Sequence, residues 1–179
     1  QGGPQAFSTG RVARSLVSAV GAAGGILTMK DMGSYRVEWR EPLVGRYRGR
    51  RLLAMPLPSS GGPILLQVLS VMEGETITAK EGLTPGIIHV LVEALKHAFA
   101  DRARTMGDPA SATVDMKAFL SAKRVQAIRK AIRKGGVLPL KSYGMEPYKG
   151  PPLLAPDDGG TSHLSVVDGR GQAVSLTTT

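Results

Sequence analysis

Cysteine is absent from this sequence of 179 residues. Its absence excludes a disulfide framework and thiolate metal sites, although it leaves the compartment open. No apolar run approaches the roughly 20 residues that a membrane-spanning helix needs. The first residues also lack the continuous apolar core of a signal peptide. We therefore expect no membrane partner: either the mature protein is soluble or a first segment has been removed.

Acidic residues are few, with 14 Asp and Glu against 23 Lys and Arg, so the formal net charge is +9. This excess would suit a nucleic-acid binder if the basic residues converged on one face with aromatic residues for stacking. Only 4% of the residues are aromatic, however. The densest basic groups lie at 46–51 and 123–134, and the second interleaves with apolar residues at helical spacing. We interpret it as a solvated helix face and predict no nucleic-acid partner, keeping nucleic-acid binding as a minor alternative.

Hydrophobic residues make up 42% of the chain and charged residues 21%, a balance typical of one globular domain. Apolar periodicity and capping residues predict six helices. They are a helix capped by Ser8 or Thr9, a small one starting at Thr28, a buried one after Ser60, a long one from Thr84 to Gly107, and two short ones within 115–136, the second capped by Ser121.

Alternating apolar residues predict strands at 35–40 and 50–56 and a β-hairpin formed by 162–168 and 173–179. Residues 137–160, rich in proline and glycine and without periodicity, are predicted to be a long linker or an exposed flexible loop. Because the chain stops in mid-strand, we expect it to be a piece of a longer protein.

Two polar features invite a functional interpretation. His97 and Asp101 lie one helical turn apart, and His89 precedes them on the same predicted helix. We interpret all three as structural, through packing or salt links to nearby arginines, and expect no metal because a third ligand is missing. The "PSSGG" loop at 58–62 is interpreted as a helix N-terminus that packs near a site.

The stretch "DDGGTSHLSVVD" at 157–168 places a glycine pair directly before Thr161 and an alternating strand. Glycine has easy access to unusual backbone angles, so the peptide bond between Gly160 and Thr161 can bend and be approached from the side. This stretch is therefore a candidate site of attack on the backbone.

Four ordered segments resemble the γ-glutamyltransferase (γ-glutamyl transpeptidase) family of N-terminal nucleophile hydrolases. They are "GGILTMKDMGSYRVEWREPLVGRYRG", "MPLPSSGGPILLQVLSVMEG", "HAFADRARTMGDP" and "GGTSHLSVVDGRGQAVSLTTT". The resemblance implies an α+β fold that forms part of an αββα sandwich. It places 1–160 in the C-terminal part of a large-subunit region, with 137–160 as a flexible linker, and 161–179 at the start of a small-subunit region.

The resemblance also implies the site residues. The precursor would cut itself between Gly160 and Thr161, which makes Thr161 the N-terminal nucleophile. Thr179 matches a second threonine whose hydroxyl hydrogen-bonds the nucleophile, and Thr177 and His163 are expected in supporting roles. The residues that bind substrate are expected outside this chain.

The function implied is transfer or hydrolysis of γ-glutamyl amides such as glutathione, with water or an amino acid as acceptor. No cofactor is expected. The resemblance further implies a heterodimer of large and small subunits after maturation, and a periplasmic or secreted location. Three alternatives stay open: a cephalosporin-acylase-like relative, a poly-γ-glutamate-processing relative, and a catalytically inactive fragment of the same fold.

Overall fold

The computed structural model describes residues 3–133, 136–145 and 162–178, and over these ranges the chain is α+β, as predicted. The helices are α1 Gly3–Ser8, α2 Arg11–Ala22, α3 Met29–Ser34, α4 Gly61–Met72, α5 Pro85–Thr105, α6 Met116–Phe119 and α7 Ala122–Arg133, and a 3-10 turn covers Leu140–Ser142. The strands β1 Leu43–Tyr47 and β2 Arg50–Ala54 form one antiparallel pair, and β3 Ser162–Val167 and β4 Ala173–Thr178 form another.

Helix α4 lies at the centre of the hydrophobic core. It packs against α5 and α7 and also contacts α6 and the β1–β2 hairpin. Each fully buried aliphatic side chain in such a core stabilises the fold by about 1.5–3 kcal/mol. The buried cluster consists of Ile64, Val68, Val71, Met72, Ile87, Ala94, Ala98, Val125, Ile128 and Ile132.

Local capping explains where several helices begin. Thr28, Thr84 and Ser121 each accept a hydrogen bond from a backbone N–H in the first turn of the helix that follows. Such caps satisfy amides that have no partner inside the helix and contribute about 1 kcal/mol each. The three predicted helix starts are therefore confirmed.

The predicted cap of α2 is wrong. Gly10 occupies the capping position of α2. Because glycine has no side chain, no side-chain hydrogen bond caps the first turn of this helix. Ser8 and Thr9 instead donate their hydroxyl hydrogens to the carbonyls of Pro4 and Gln5, at 3.3 Å in each case. The physical reason is that a short helix, α1, precedes α2, so these hydroxyls serve the end of one helix and not the start of the next.

The strand predicted at 35–40 is also wrong, because the structure shows no strand there. Val37 is 76% exposed and Trp39 is 97% exposed, so the alternating side chains meet no apolar surface among the described residues. Alternation marks which residues would share a face of a strand, but a strand also needs a partner to accept its backbone hydrogen bonds.

The first strand is β1, a stretch for which the sequence predicted no strand. It pairs with β2, which confirms the second predicted strand over Arg50–Ala54. The turn between them places Arg48 at φ 49° and Gly49 at φ 76°. Positive φ angles at both central residues match the right-handed twist of a two-residue hairpin.

The "PSSGG" loop leads into α4, which confirms its interpretation as a helix N-terminus. The Ser60 hydroxyl accepts a 2.8 Å hydrogen bond from Arg102 Nε, which links the loop to α5. A Cβ at Gly62 would lie 2.0 Å from the Met55 carbonyl oxygen, so only glycine fits at this junction. Among the described residues, no helix has the length and apolar character needed to cross a bilayer.

Candidate active site

The β3–β4 hairpin carries the candidate site residues that the structure describes. Its register pairs His163 with Thr177 and Ser165 with Ser175, so these side chains share one face. The opposite face carries the apolar residues Leu164, Val166, Val174 and Leu176, each about half exposed. The hairpin thus has one face of hydroxyls with an imidazole and one apolar face.

His163 is held by hydroxyl groups on both of its ring nitrogens. Its Nδ1 lies 2.7 Å from Thr177 Oγ1, and its Nε2 lies 3.1 Å from the hydroxyls of both Ser165 and Ser175. A hydroxyl can donate or accept, so either neutral tautomer of the ring is satisfied here. The ring is therefore fixed in place on the polar face.

The turn of the hairpin sets this register. Asp168 Oδ1 accepts hydrogen bonds of 2.9 Å from the backbone N–H groups of Arg170 and Gln172, and Gly171 has φ 79°. A shift of one residue would move every side chain to the other face. The turn therefore keeps His163 opposite Thr177.

Gly160, Thr161 and Thr179, the proposed cleavage bond and the two principal threonines, lie outside the described residues. Of the predicted site, the structure describes the supporting pair, His163 and Thr177, and brings their side chains into hydrogen-bonding contact. The roles assigned to all five residues stay predictions.

A second polar cluster lies on α5, and we call it the Tyr143 clasp. It joins α5 to residues 138–145, and its centre is the buried hydroxyl of Tyr143. This hydroxyl donates to Glu93 Oε2 at 2.7 Å and accepts from Lys96 Nζ at 3.2 Å and from the backbone N–H of Leu138 at 3.1 Å. Glu93 is itself buried and forms an ion pair with Lys96.

The clasp also binds the backbone after Tyr143. The N–H of Gly144 donates to His97 Nδ1 at 3.2 Å, and the N–H of Met145 donates to Asp101 Oδ1. Arg104 Nη1 donates to the Tyr143 carbonyl at 2.6 Å. Residues 138–145 are thus attached to α5; the rest of the predicted linker, 146–160, lies outside the described residues.

Burial and neighbouring charges set the protonation of the clasp. Burial, and to a smaller extent the nearby Arg124 guanidinium, together lower the pKa of His97 to about 4. Burial raises the pKa of Glu93, but the hydrogen bonds from Lys96 and Tyr143 outweigh it, so the net pKa is lowered. His97 is therefore neutral and Glu93 ionised near pH 7, which suits the neutral Nδ1 that accepts from Gly144.

Asp101 and His97 have structural partners, as predicted. Asp101 Oδ2 accepts from Arg124 Nε of α7 at 2.9 Å in a buried ion pair. The salt link is therefore confirmed, although its partner comes from α7 and not from the neighbouring arginines of α5. Within the ranges that the structure describes, no three His, Asp or Glu side chains cluster as metal ligands would.

Sequence reasoning missed Ser175 and the contact between α5 and Tyr143 that forms the clasp. A signal for Ser175 is its alternation with Thr177 along one strand. Glu93, His97 and Asp101 recur every four residues, which marks one polar face of a helix. The partner of that face, Tyr143, lies 50 residues from Glu93 in sequence, so no local pattern connects them.

A surface cleft of about 380 Å³ lies apart from both clusters, and it contains none of the predicted site residues. It is lined by Arg40, Glu41, Leu43, Pro56, Leu57, Pro109, Val114 and Met116.

The helical core and the hairpin define an α+β protein of the N-terminal nucleophile hydrolase class. The sequence model described as gamma-glutamyltranspeptidase matches residues 1–179. The chain therefore belongs to the γ-glutamyltranspeptidase family.

Individual relatives agree with this assignment. The chain is 40% identical to glutathione hydrolase 2 of Arabidopsis thaliana over 185 residues, which covers 99% of this chain and 30% of that protein. It is 35% identical to the acylase ACY 1 proenzyme of Pseudomonas sp. strain V22, again over 99% of this chain and 30% of the relative. The crystal structure of Helicobacter pylori γ-glutamyltranspeptidase superposes with a TM-score of 0.72 at 35% identity, covering 79% of this chain and 40% of that one.

The chain thus spans about 30% of the length of the curated relatives that it matches.

Proposed function

We propose that the protein hydrolyses or transfers the γ-glutamyl group of γ-glutamyl amides such as glutathione, with Thr161 as the nucleophile. Membership of the family supports this proposal, and so does the name glutathione hydrolase carried by a relative 40% identical. The structural observation behind it is the hairpin face on which His163 is held by Thr177, Ser165 and Ser175, two residues after Thr161.

The first step is cleavage of the chain. The Thr161 hydroxyl attacks the carbonyl carbon of Gly160 through a five-membered ring, and the bond from that carbon to the Thr161 nitrogen breaks. The product is an ester between Gly160 and the Thr161 oxygen, with a free amine on Thr161. Water then hydrolyses the ester, which leaves a carboxylate on Gly160. Glycine at position 160 permits the bend that this attack needs.

The second step is acyl transfer. The freed α-amine has an ordinary pKa of about 8, which suits a general base near neutral pH. It takes the proton of the Thr161 hydroxyl, directly or through one water, as the oxygen attacks the γ-glutamyl carbonyl. The amine of the substrate leaves with a proton, and a γ-glutamyl ester remains on Thr161. Water or the amine of an amino acid then removes the acyl group.

We assign Thr179 to tuning the nucleophile and Thr177 and His163 to supporting it. Thr179 follows β4 directly, just as Thr161 precedes β3, and Ser162 and Thr178 form the adjacent pair of the hairpin. His163 touches Thr177, Ser165 and Ser175 rather than acting alone, so we give it a positioning role on the polar face.

The complete gene product is expected to mature from one chain into two. Cleavage at the proposed bond releases a smaller chain that begins "TSHLSVV". Denaturing electrophoresis of the purified protein, with N-terminal sequencing of the smaller band, tests this directly. A smaller band that begins at any other residue contradicts the assignment of Thr161.

Replacement of His163 by alanine should lower kcat of the mature enzyme on a γ-glutamyl anilide. The substitution removes the hydrogen bond that orders Thr177, with a net value of about 0.5–1.5 kcal/mol, so we expect a loss of about three- to tenfold. Ser162→Ala is the matched control, because Ser162 lies in the same strand on the opposite face. Equal kcat values for the two variants would show that His163 has no role at the site.

An acylase that acts on a different acyl group is the second candidate, and the ACY 1 proenzyme relative favours it. Parallel assays on a γ-glutamyl anilide and on an acyl cephalosporin separate these two candidates. An assay on poly-γ-glutamate tests the third candidate, a poly-γ-glutamate-processing relative. Maturation without activity on any of them would indicate an inactive member of the fold.

The remaining assignments follow from the same proposal. The cleaved protein would be a heterodimer of a large and a small chain, acting on a small-molecule substrate without a cofactor. We also propose a periplasmic or secreted location, which fractionation of cells that express the complete gene can test.

A further inference from the structure

We propose that the Tyr143 clasp is an acid-sensitive switch, in which protonation of His97 at Nδ1 releases residues 138–145 from α5. Three groups carry this inference: the buried imidazole of His97, the backbone N–H of Gly144 that donates to it, and the Arg124 guanidinium beside it. All three lie in described parts of the chain, so the inference is independent of the proposed function.

The contacts of His97 decide which ring nitrogen carries the proton. The backbone nitrogen of Gly144 lies 3.2 Å from His97 Nδ1, and Arg124 Nη2 lies 3.5 Å from it. A backbone N–H and a guanidinium can only donate, so Nδ1 must be unprotonated in order to accept. The proton of the neutral ring is therefore on Nε2, which makes no hydrogen bond within the described residues.

Acid must consequently add a proton at Nδ1, the atom that accepts from Gly144. The protonated Nδ1 is a donor that faces another donor, so this hydrogen bond is lost. The imidazolium also places a positive charge beside the guanidinium of Arg124, and like charges repel. The closed clasp thus disfavours the charged ring, whereas an open clasp lets water solvate it.

The charged groups around His97 come from α5 and α7. They are Glu93, Lys96, Asp101, Arg104 and Arg124. Helix α4, which packs against α5, carries no ionisable side chain. Both carboxylates already have a cationic partner, since Asp101 pairs with Arg124 and Glu93 pairs with Lys96. Neither can stabilise an imidazolium fully without weakening its own ion pair.

Residues 138–145 depend on hydrogen bonds for their attachment to α5. Tyr143 alone is buried within this segment, and Leu140 is 86% exposed, so the hydrophobic effect contributes little beyond the tyrosine ring. Three consecutive residues, Tyr143, Gly144 and Met145, each bond through the backbone to a side chain of α5. Loss of the central bond therefore weakens the attachment on both sides of it.

The pH range of the switch follows from the two states of His97. Burial and, to a smaller extent, Arg124 hold the pKa of His97 at about 4 in the closed clasp, below the ordinary value of 6.5. In the open clasp the ring is in water, and the ordinary pKa returns. A pKa that is lower in the closed state favours closure fully above about pH 6.5, and this contribution is lost as the pH falls towards about 4. The open population should rise by up to about tenfold per pH unit in this range.

The other two groups of the clasp with shifted pKa values act outside this range. Burial raises the pKa of Glu93, but the hydrogen bonds from Lys96 and Tyr143 lower it below the ordinary 4.5, so its contribution to closure is lost only as the pH falls below about 4.5. Hydrogen bonds to Glu93 and Tyr143 raise the pKa of Lys96 above 10.5, so its contribution is lost only at higher pH. A response between pH 6.5 and 4.5 therefore reports His97.

Hydrogen–deuterium exchange of the purified complete protein, followed by mass spectrometry, tests the switch. The readout is protection of a peptide that covers 138–145, after correction for the intrinsic pH dependence of exchange. We expect this protection to fall at least about tenfold between about pH 7 and pH 4.5. Protection of a peptide that covers α4 should not change, because α4 lies in the hydrophobic core.

His97→Asn is the decisive variant, because its amide oxygen can accept from Gly144 but cannot be protonated in this pH range. The pH-dependent loss of protection at 138–145 should be absent from it. His89→Gln is the matched control: it removes another histidine of α5, eight residues before His97, and leaves the hydrogen bonds of the clasp in place. This control should show the same fall as the wild type.

Four results would overturn the inference. They are equal protection of 138–145 at the two pH values in the wild type, a fall that persists in His97→Asn, a fall that begins only below about pH 4.5, where carboxylates titrate, and an equal fall in the α4 peptide, which would show unfolding of the whole core. If His97→Asn does not fold, the wild-type profile still decides, through the pH at which protection begins to fall and through the α4 peptide.

Discussion

Thr161→Ala in the complete gene product is expected to block maturation, leaving a single band on a denaturing gel. It should also lower hydrolysis of a γ-glutamyl anilide by at least about a thousandfold, because loss of a catalytic nucleophile typically costs more than that. The reason is that Thr161 alone combines a hydroxyl with an amine that cleavage can release. Both effects are measured on the same purified protein.

Thr161→Ser is the matched control for this substitution, because it retains the hydroxyl. We expect it to mature and to keep part of the activity. Ser162→Ala should leave at least one of the two properties intact. Full anilide hydrolysis by Thr161→Ala would refute the mechanism.

Asp101→Ala is expected to destabilise the helical core strongly. The Asp101 carboxylate is fully buried, pairs with Arg124 and accepts from the N–H of Met145. Removing it leaves a buried guanidinium without its counter-charge, which typically costs about 3–5 kcal/mol. The melting temperature of the purified complete protein, followed by circular dichroism, measures the loss.

Glu38→Ala tests whether burial is the cause of the loss of stability expected for Asp101→Ala. Glu38 pairs with Arg40 at the surface, where its side chain is 63% exposed. Exposed ion pairs contribute about 0–1 kcal/mol, so the melting temperature should barely change. Similar losses in the two variants would show that the position of Asp101 in the core is not what matters.

Elements whose signals are local were predictable from the sequence. Thr84 followed by proline marked the start of α5, and Ser121 marked the start of α7. The β3–β4 hairpin followed from strict alternation on either side of a glycine-containing turn. In each case the residues that decide the structure lie within a few positions of one another.

Strand β1 escaped prediction because its cause is distant. Gly45 lies inside the strand, where a Cβ would lie 2.5 Å from Leu66 Cδ2 of α4. A small residue is needed there because a helix packs closely on the strand. Conversely, the residues around Trp39 alternate as they would in a strand, but the described part of the chain provides no partner strand for them.

The candidate site likewise has features that the sequence predicts and features that it does not. The threonines and His163 were identified through the family resemblance. The hydrogen bonds that fix His163 come from both strands of the hairpin, and those of the clasp join residues up to 50 positions apart. Their assembly depends on tertiary packing, which a linear pattern does not contain.

The apolar face of the hairpin has a consequence for aggregation. Strands β3 and β4 carry no proline, glycine, Lys, Arg, Asp or Glu, and Val166, Val174 and Leu176 are more than half exposed. Short uncharged segments of high β-propensity are the ones that pair with copies of themselves when left open. Whatever covers this face in the complete protein therefore also keeps the hairpin out of insoluble assemblies.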